Sequence, residues 1–198
     1  MNGDSDITPQ DSIEIQVRGE VIQLLGSRAA FWPRTRTLLL ADLHLGKAQA
    51  LRTLGAALPA TAMLRQQIKL LEAACSRTGA TRILVLGDLL HAPSGLTEDV
   101  ITAFGDFTRH SGCCMQVVPG NHDRMLHRVA AASAIEVLPE SHTEGPFEFT
   151  HEPASGQRDR FVWCGHLHPA ITLGGRADRI KLPCFRLNEH RCILPAFS

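Results

Sequence analysis

Near its start, the chain alternates apolar and polar residues with the period of a β-strand. Ile13, Ile15 and Val17 are each followed by a polar residue, and residues 21–25 are again mostly apolar after Gly19. Alternation of this kind is typical of strands with one buried face, and glycine favours the turn between two of them. The pattern therefore predicts a β-hairpin with its turn at Gly19.

Further along the chain, short apolar runs predict buried strands and helically spaced apolar residues predict helices. The predicted strands are residues 37–41, 83–86, 115–118, 147–150, 161–164, 170–173 and 180–187. The predicted helices are residues 59–76, which Gly79 should end, 97–110, with Thr97 as the cap, and 124–132. Along the chain, the predicted elements are first strands, then alternating strands and helices, and then mainly strands. This order predicts an α+β fold with two layers of sheet flanked by helices.

Length and composition agree with this globular interpretation. The chain has 198 residues, of which 44% are hydrophobic and 20% charged, so a wholly disordered chain is excluded. Residues 1–11 are polar and have no basic or apolar leader region, so they predict a flexible tail before one domain over residues 12–198. The longest apolar run, residues 38–41, is too short to cross a membrane, and a cytoplasmic location is expected.

The charge and aromatic content limit the ways in which the protein can bind nucleic acid. Twenty Lys and Arg balance twenty Asp and Glu, which excludes binding to DNA by net charge alone. Tyrosine is absent, which argues against a surface on which bases stack. Ten histidines are many for this length, and their positions in the sequence point to a different chemistry.

Polar clusters follow five of the predicted strands. They are Asp42-Leu43-His44, Gly87-Asp88, Gly120-Asn121-His122-Asp123, His151 and Gly165-His166-Leu167-His168. Side chains at the carboxyl ends of such strands gather in one crevice, and alternate residues of an extended segment face the same side. Imidazoles and carboxylates together suit manganese, iron or zinc better than calcium, and so many ligands suit two ions about 3.5–4 Å apart. Each cluster alone is also compatible with a turn or a surface histidine; their joint order favours a metal site.

In this order, the clusters resemble the signature of the calcineurin-like metallophosphoesterases over residues 38–170. The resemblance implies a four-layer αββα sandwich of two mixed sheets flanked by helices. The ligands implied for one ion are Asp42, His44, Asp88 and His168. Those implied for the other are Asp88, Asn121, His151 and His166, so Asp88 would bridge the two ions. His122 matches the non-ligand histidine near the scissile phosphate, paired with Asp123, which could alternatively cap the following helix.

A narrower resemblance covers most of the chain after residue 30. The segments ADLHLGK (41–47), LGDLLH (86–91), GNHDR (120–124), GHLHP (165–169), RIKLPC (179–184) and LPAF (194–197) are similar to those of the bacterial ligase-associated metallophosphoesterases. The chain ends at Ser198, where such proteins usually continue into a short glycine-rich tail. This resemblance implies a manganese-dependent phosphodiesterase or DNA endonuclease of DNA repair, associated with an ATP-dependent ligase and a helicase. Iron, zinc, cobalt and nickel are alternative metals.

The expected activity is therefore hydrolysis of a phosphodiester by a hydroxide that bridges two divalent ions. The expected substrate is DNA, with single-stranded DNA preferred. Two such ions, two carboxylates and the hydroxide leave a net charge of about +1, which suits a phosphodiester. Candidate contacts to the substrate backbone are the basic residues Lys47, Arg52, Arg124 and Arg128, which could equally be solvated helix surfaces; the role of His91 is left open. The alternatives are a small-molecule nucleotide or pyrophosphate phosphohydrolase and a non-catalytic protein-binding scaffold.

Overall fold

The structure is a computed structural model that describes residues 12–153, 159–175 and 178–198. The flexible tail predicted for residues 1–11 lies outside the described residues. The strands are β1 (Ser12–Val17), β2 (Glu20–Leu25), β3 (Ala30–Trp32), β4 (Thr37–Leu40), β5 (Arg82–Leu86), β6 (Cys114–Val118), β7 (Ile135–Val137), β8 (Ser141–Glu144), β9 (Phe147–Thr150), β10 (Phe161–Cys164), β11 (Ala170–Leu173), β12 (Ile180–Pro183), β13 (Arg186–Leu187) and β14 (Arg191–Ile193). The α-helices are α1 (Lys47–Thr53), α2 (Ala60–Thr78), α3 (Glu98–His110) and α4 (Leu126–Ser133).

The first sheet has seven strands in the order β1-β2-β3-β4-β5-β6-β7. Strands β1 to β4 are antiparallel, and the predicted hairpin β1–β2 is present with Gly19 in its turn at φ 82°. Strands β4 to β7 are parallel. Because parallel strands all end at the same edge, the segments after β4, β5 and β6 emerge side by side.

The second sheet has five strands in the order β13-β14-β10-β9-β8, in which β9, β10 and β14 are parallel. The chain segments after β9 and β10 therefore also emerge together. Strands β11 and β12 form a separate antiparallel ribbon. The single strand predicted over residues 180–187 is wrong, because the chain leaves the ribbon after Pro183 and joins the second sheet as β13.

Two buried clusters hold these layers together. Trp32, Phe147 and Trp163 lie between the sheets with no exposed surface, and the rings of Trp32 and Phe147 meet edge to face with centroids 4.8 Å apart. Burial of each such side chain contributes roughly 1.5–3 kcal/mol. The second cluster joins the other face of the seven-stranded sheet to α2, α3 and α4, through residues such as Leu71 and Phe104. The predicted α+β sandwich of two mixed sheets with helices is confirmed.

The three predicted helices are present, whereas α1 and the short strands β3, β7 and β8 were not predicted. Helix α2 ends at Gly79, which has φ 64°, as predicted. Thr97 stands at the cap position of α3, but its side chain makes no capping hydrogen bond. Sequence periodicity did not predict α1, since only Ala48 and Ala50 are buried in its seven residues. Within the described residues, no helix combines the length and the apolar character that a membrane crossing needs.

Candidate metal centre

All of the candidate metal ligands lie where the parallel strands of the two sheets end. Asp42 and His44 follow β4, Asp88 follows β5, and Asn121 follows β6. The second sheet supplies the remaining histidines, which follow β9 and β10: His151, His166 and His168. The seven side chains converge on one edge of the sandwich.

The backbone at this edge is left-handed rather than extended. Five of the candidate ligands have positive φ, and they are Asp42, His44, Asp88, His166 and His168. Non-glycine residues in this region carry steric strain, which tends to concentrate at functional sites. The sequence analysis assumed that Asp42/His44 and His166/His168 lie on extended segments, and that assumption about the backbone is wrong. The residues nevertheless lie at the same edge, as predicted.

Hydrogen bonds hold these strained segments against each other. The amides of Asp42 and His44 donate to the carbonyls of Gly87 (3.1 Å) and Asp88 (2.9 Å). Across the two sheets, the amide of His166 donates to Asp42 Oδ2 at 2.9 Å. The Asp42 carboxylate therefore fixes the loop of the second sheet as well as facing the site.

One group of potential ligands is partly open to solvent. It consists of Asp42, His44 and His168, and the Nε2 atom of His168 lies 3.4 Å from both Asp42 Oδ1 and His44 Nε2. Ligand atoms about 2.1 Å from one metal ion lie about 3.0–3.4 Å from each other. The spacing of this open group matches that of ligands on a common ion.

A second group, buried, consists of Asp42, Asp88 and His151. The ring of His151 lies with Nδ1 3.2 Å from the Leu86 carbonyl and Nε2 2.9 Å from Asn121 Oδ1. In the tautomer that donates Nδ1–H to the Leu86 carbonyl, the Nε2 lone pair faces the Asn121 oxygen. Two lone pairs facing each other are the arrangement that a cation stabilises. His166 Nδ1 lies 3.1 Å from the same Nε2.

Glycines allow the buried group to pack this closely. A Cβ atom at Gly87 would lie 2.0 Å from Nδ1 of His151, and one at Gly120 would lie 2.4 Å from the Asp88 amide. At Gly165 it would lie 2.7 Å from Asp42 Oδ2. Any side chain at these positions would displace a candidate ligand.

The described residues fit divalent metal ions. Among the described residues, Asp42 Oδ1 and His44 Nδ1 have no hydrogen-bond partner although they are buried, an arrangement that costs free energy unless another group contacts them. The donors are imidazole nitrogens and carboxylate and amide oxygens, which together suit manganese, iron, zinc and similar ions. Asp42 belongs to both groups in this structure, whereas Asp88 belongs to the buried group. The bridging role predicted for Asp88 stays a prediction.

Burial shifts the proton affinities of the site. It raises the pKa of Asp42 to about 7, opposed by the nearby His151. It lowers the pKa of His44 to about 4, and the ring therefore stays neutral across the physiological range. Burial and the positive charge of Lys47 both lower the pKa of His91 and of His168. Lys47 is therefore close enough to act electrostatically on the open group.

His122 is positioned by a residue other than the one predicted. Its Nδ1 lies 2.8 Å from the carbonyl of His91, while its Nε2 lies 4.0 Å from Asp88 Oδ2. The Asp123 carboxylate instead accepts hydrogen bonds from the amides of Leu90 and Gly120, both at 2.9 Å. The predicted His122–Asp123 pair and the alternative cap of α4 by Asp123 are both wrong. Asp123 ties together the two loops that carry Asp88 and His122.

The predicted substrate-binding residues differ in their relation to the centre. Lys47 begins α1 beside the open group. Arg52, Arg124 and Arg128 are exposed, and the described contacts link none of them to a candidate ligand.

Comparison with known proteins places this arrangement in a family. The crystal structure of the Pseudomonas putida nuclease MPE resembles the structure with a TM-score of 0.81. The sequences are 32% identical, and the match covers 94% of this chain and 87% of the other. The chain belongs to the family of nuclease MPE. Neither a scan against protein-family models nor a search of curated proteins gave a match.

In this member of the nuclease MPE family, His91 is a site residue to which the sequence assigned no role. Its ring stacks on that of His122, with centroids 5.9 Å apart and planes at 10°, and meets that of His44 edge-on at 5.5 Å. It also supplies the carbonyl that orients His122. The sequence offered one weak signal, namely its position three residues after Asp88. A backbone acceptor has no signature in residue type, so the orienting contact required the structure.

Proposed function

We propose that this protein is a metal-dependent phosphodiesterase that cleaves DNA internally. The observation that carries the proposal is the convergence of the seven candidate ligands at one edge of the sandwich, where Asp42 belongs to both groups and Asn121 and His166 contact His151. Support comes from the 32% identity to a protein described as a nuclease. The proposed ligands are Asp42, His44, Asp88, Asn121, His151, His166 and His168.

Bound at these residues, two divalent ions would hold the phosphoryl oxygens and lower the pKa of a water molecule that attacks phosphorus. The chain itself fixes the ligand geometry. His151 is oriented by the Leu86 carbonyl, and Asp42 and Asp88 are oriented by the amides of His166 and His122. Such outer contacts are worth 10- to 100-fold in metal affinity, as an order of magnitude.

His122 is the proposed proton donor to the leaving oxygen. Because its Nδ1 proton is held by the His91 carbonyl, any second proton resides on Nε2, on the side of Asp88. A leaving alkoxide that approached Nε2 could take that proton in the transition state. General-acid contributions of this kind amount to roughly 10²–10⁴ in rate. Asp123 acts as a positioning residue through the loop of Gly120.

The finer predictions of the sequence belong to this proposal. Manganese as the native metal, single-stranded DNA as substrate and a role in repair beside a ligase and a helicase rest on the resemblance. A cytoplasmic location and a single domain over residues 12–198 rest on the length and patterning of the sequence. Lys47 is the best supported of the proposed backbone contacts, since its charge acts on the open group.

Cleavage of circular single-stranded DNA across a panel of divalent metals tests the proposal. Such DNA has no ends, so its conversion to linear product requires internal cleavage. We expect manganese-dependent linearisation, together with hydrolysis of a small phosphodiester. Hydrolysis of a nucleotide or pyrophosphate with no action on DNA would support the small-molecule alternative. No hydrolysis with any metal would support the scaffold alternative.

A further inference from the structure

A cavity of about 770 Å³ opens beside the candidate metal centre. It lies between α1 and α2, and the turn at residues 26–28 and the residues Phe197 and Ser198 also line it. His44 and Lys47 form part of its wall. Ligand pockets generally have about 300–1,000 Å³, so the cavity can hold a group of nucleotide size. Because His44 is also a candidate metal ligand, a group bound in the cavity would lie next to a phosphate bound at the metal centre.

The walls combine aliphatic surface with amide groups. Leu51, Met63 and Leu70 line the cavity, and their exposure is 36%, 47% and 41% respectively. Clustered apolar exposure of this kind typically marks a binding surface. Gln66 and Gln67 also line it, and Gln67 donates its amide hydrogen to the Leu43 carbonyl, which anchors it next to the metal loop.

The charge of the lining is positive. Lys47 and Arg28 are its charged side chains, Arg28 donates a hydrogen bond to the main-chain oxygen of Ser198, and none of the described lining residues is Asp or Glu. An anionic occupant is therefore favoured over a basic one. A nucleotide has the matching chemistry, since its phosphate is anionic, the faces of its base are apolar, and the base edge exchanges hydrogen bonds with amides.

We propose that this cavity binds the base of a nucleotide next to the scissile phosphate. The proposal rests on the proposed nuclease function and deepens it. A paired base cannot leave its stack without an energetic cost, so the cavity favours unpaired over duplex substrate. Aliphatic walls accept any base, which predicts weak sequence preference.

A cavity-filling substitution provides the first test. Ala62 is an exposed residue of α2 that lines the cavity, whereas Ala73 is an exposed residue of α2 away from it. Ala62→Trp should raise the KM for a single-stranded 12-mer about five- to tenfold. Ala73→Trp should leave KM unchanged. Hydrolysis of methyl p-nitrophenyl phosphate, which has no base, should stay within about twofold in both variants.

A pair of substitutions at Met63 tests the same proposal if the Ala62→Trp variant does not fold. Met63→Glu places a negative charge in the cavity, and Met63→Gln adds a similar side chain without charge. We expect the KM for the 12-mer to rise more for Met63→Glu than for Met63→Gln. Equal values for the two variants would contradict an anionic occupant.

Oligonucleotides with single abasic positions identify the occupant. Removal of the base next to the cleaved bond should slow cleavage by the wild type about five- to tenfold. The same removal should slow cleavage by Ala62→Trp little further, because the tryptophan has already excluded the base. Unchanged DNA kinetics in Ala62→Trp, or an equal loss on the small diester, would overturn the cavity proposal. Hydrolysis of the small diester with no DNA cleavage by the wild type would instead overturn the proposed function.

Discussion

The two groups of candidate metal ligands share Asp42 but differ in their access to solvent. Asp88 and His151 of the buried group have almost no exposed surface, whereas the His168 side chain of the open group is 43% exposed. His122, His91 and Lys47 all lie on the open side, next to His44. If both groups hold ions as proposed, the buried group suits retention of its ion, and the open group leaves room for a substrate.

The same difference appears in how the side chains are held. His151 of the buried group contacts the Leu86 carbonyl and packs against the Cα of Gly87. Among the described residues, the hydrogen bond and the ion pair of the His168 ring, in the open group, are with His44 and Asp42. We therefore infer that an ion in the buried group would exchange more slowly than one in the open group.

Substitution of Asp88 should have the largest effect and tests whether the groups form one centre. If Asp88 bridges both ions as the resemblance implies, Asp88→Asn should reduce activity by at least about 10³-fold and leave less than one metal per chain. Atomic absorption on the purified protein measures the metal. The matched variant is Asp42→Asn. Two retained ions in Asp88→Asn, with both lost in Asp42→Asn, would assign the bridge to Asp42 instead.

Substitution of His122, on the open side, should reduce the rate of hydrolysis without reducing metal binding. We expect His122→Ala to keep both metals and to lose about 10²–10⁴ in kcat for DNA. The loss should be smaller for a nitrophenyl ester, since nitrophenolate leaves without protonation. His110→Ala is the control, because His110 is an exposed histidine whose ring contacts the Asp106 carbonyl of its own helix. An equal loss on both substrates would exclude the general-acid role.

The strand ends at which the candidate ligands lie could be predicted from the sequence, because buried parallel strands leave a strong signal. The runs that became β4, β5, β6 and β10 are mostly apolar, β9 alternates phenylalanine with polar residues, and polar residues follow each of the five strands. Asp42, Asp88 and His151 could therefore be placed at one edge without knowledge of the connections.

The contacts that tune the site could not be predicted in this way. The partner of His122 is a backbone carbonyl, and any residue type at position 91 would supply one. The Asp123 carboxylate accepts a hydrogen bond from the amide of Leu90, in a distant loop, rather than from its sequence neighbour His122. The cavity depends on α1, whose seven residues have no clear apolar stripe. Each of these features arises from tertiary packing, which local periodicity does not report.

Gly87 tests whether close packing retains the buried ion. A Cβ here would lie 2.0 Å from His151 Nδ1, whereas Gly112 has a similar left-handed φ, 68° against 75°, and no atom within 4 Å of its Cβ position. Both Gly→Ala variants should lose about 1–2 kcal/mol of unfolding free energy from backbone strain. Only Gly87→Ala should weaken metal binding, by about 10- to 100-fold. Similar metal affinity in both variants would contradict the packing argument.

The smallest expected effect is the pH dependence of metal binding, which should affect both groups through Asp42. In the metal-free protein, burial raises the pKa of Asp42 to about 7, so the proton on this carboxyl must leave when a metal binds. The apparent affinity should fall about tenfold per pH unit below 7 and should not depend on this group above it. His44, with its pKa lowered to about 4, adds no competition in this range. Titration calorimetry with manganese from pH 5.5 to 8 measures the slope. A constant affinity over that interval would mean that Asp42 is already ionised before the metal arrives.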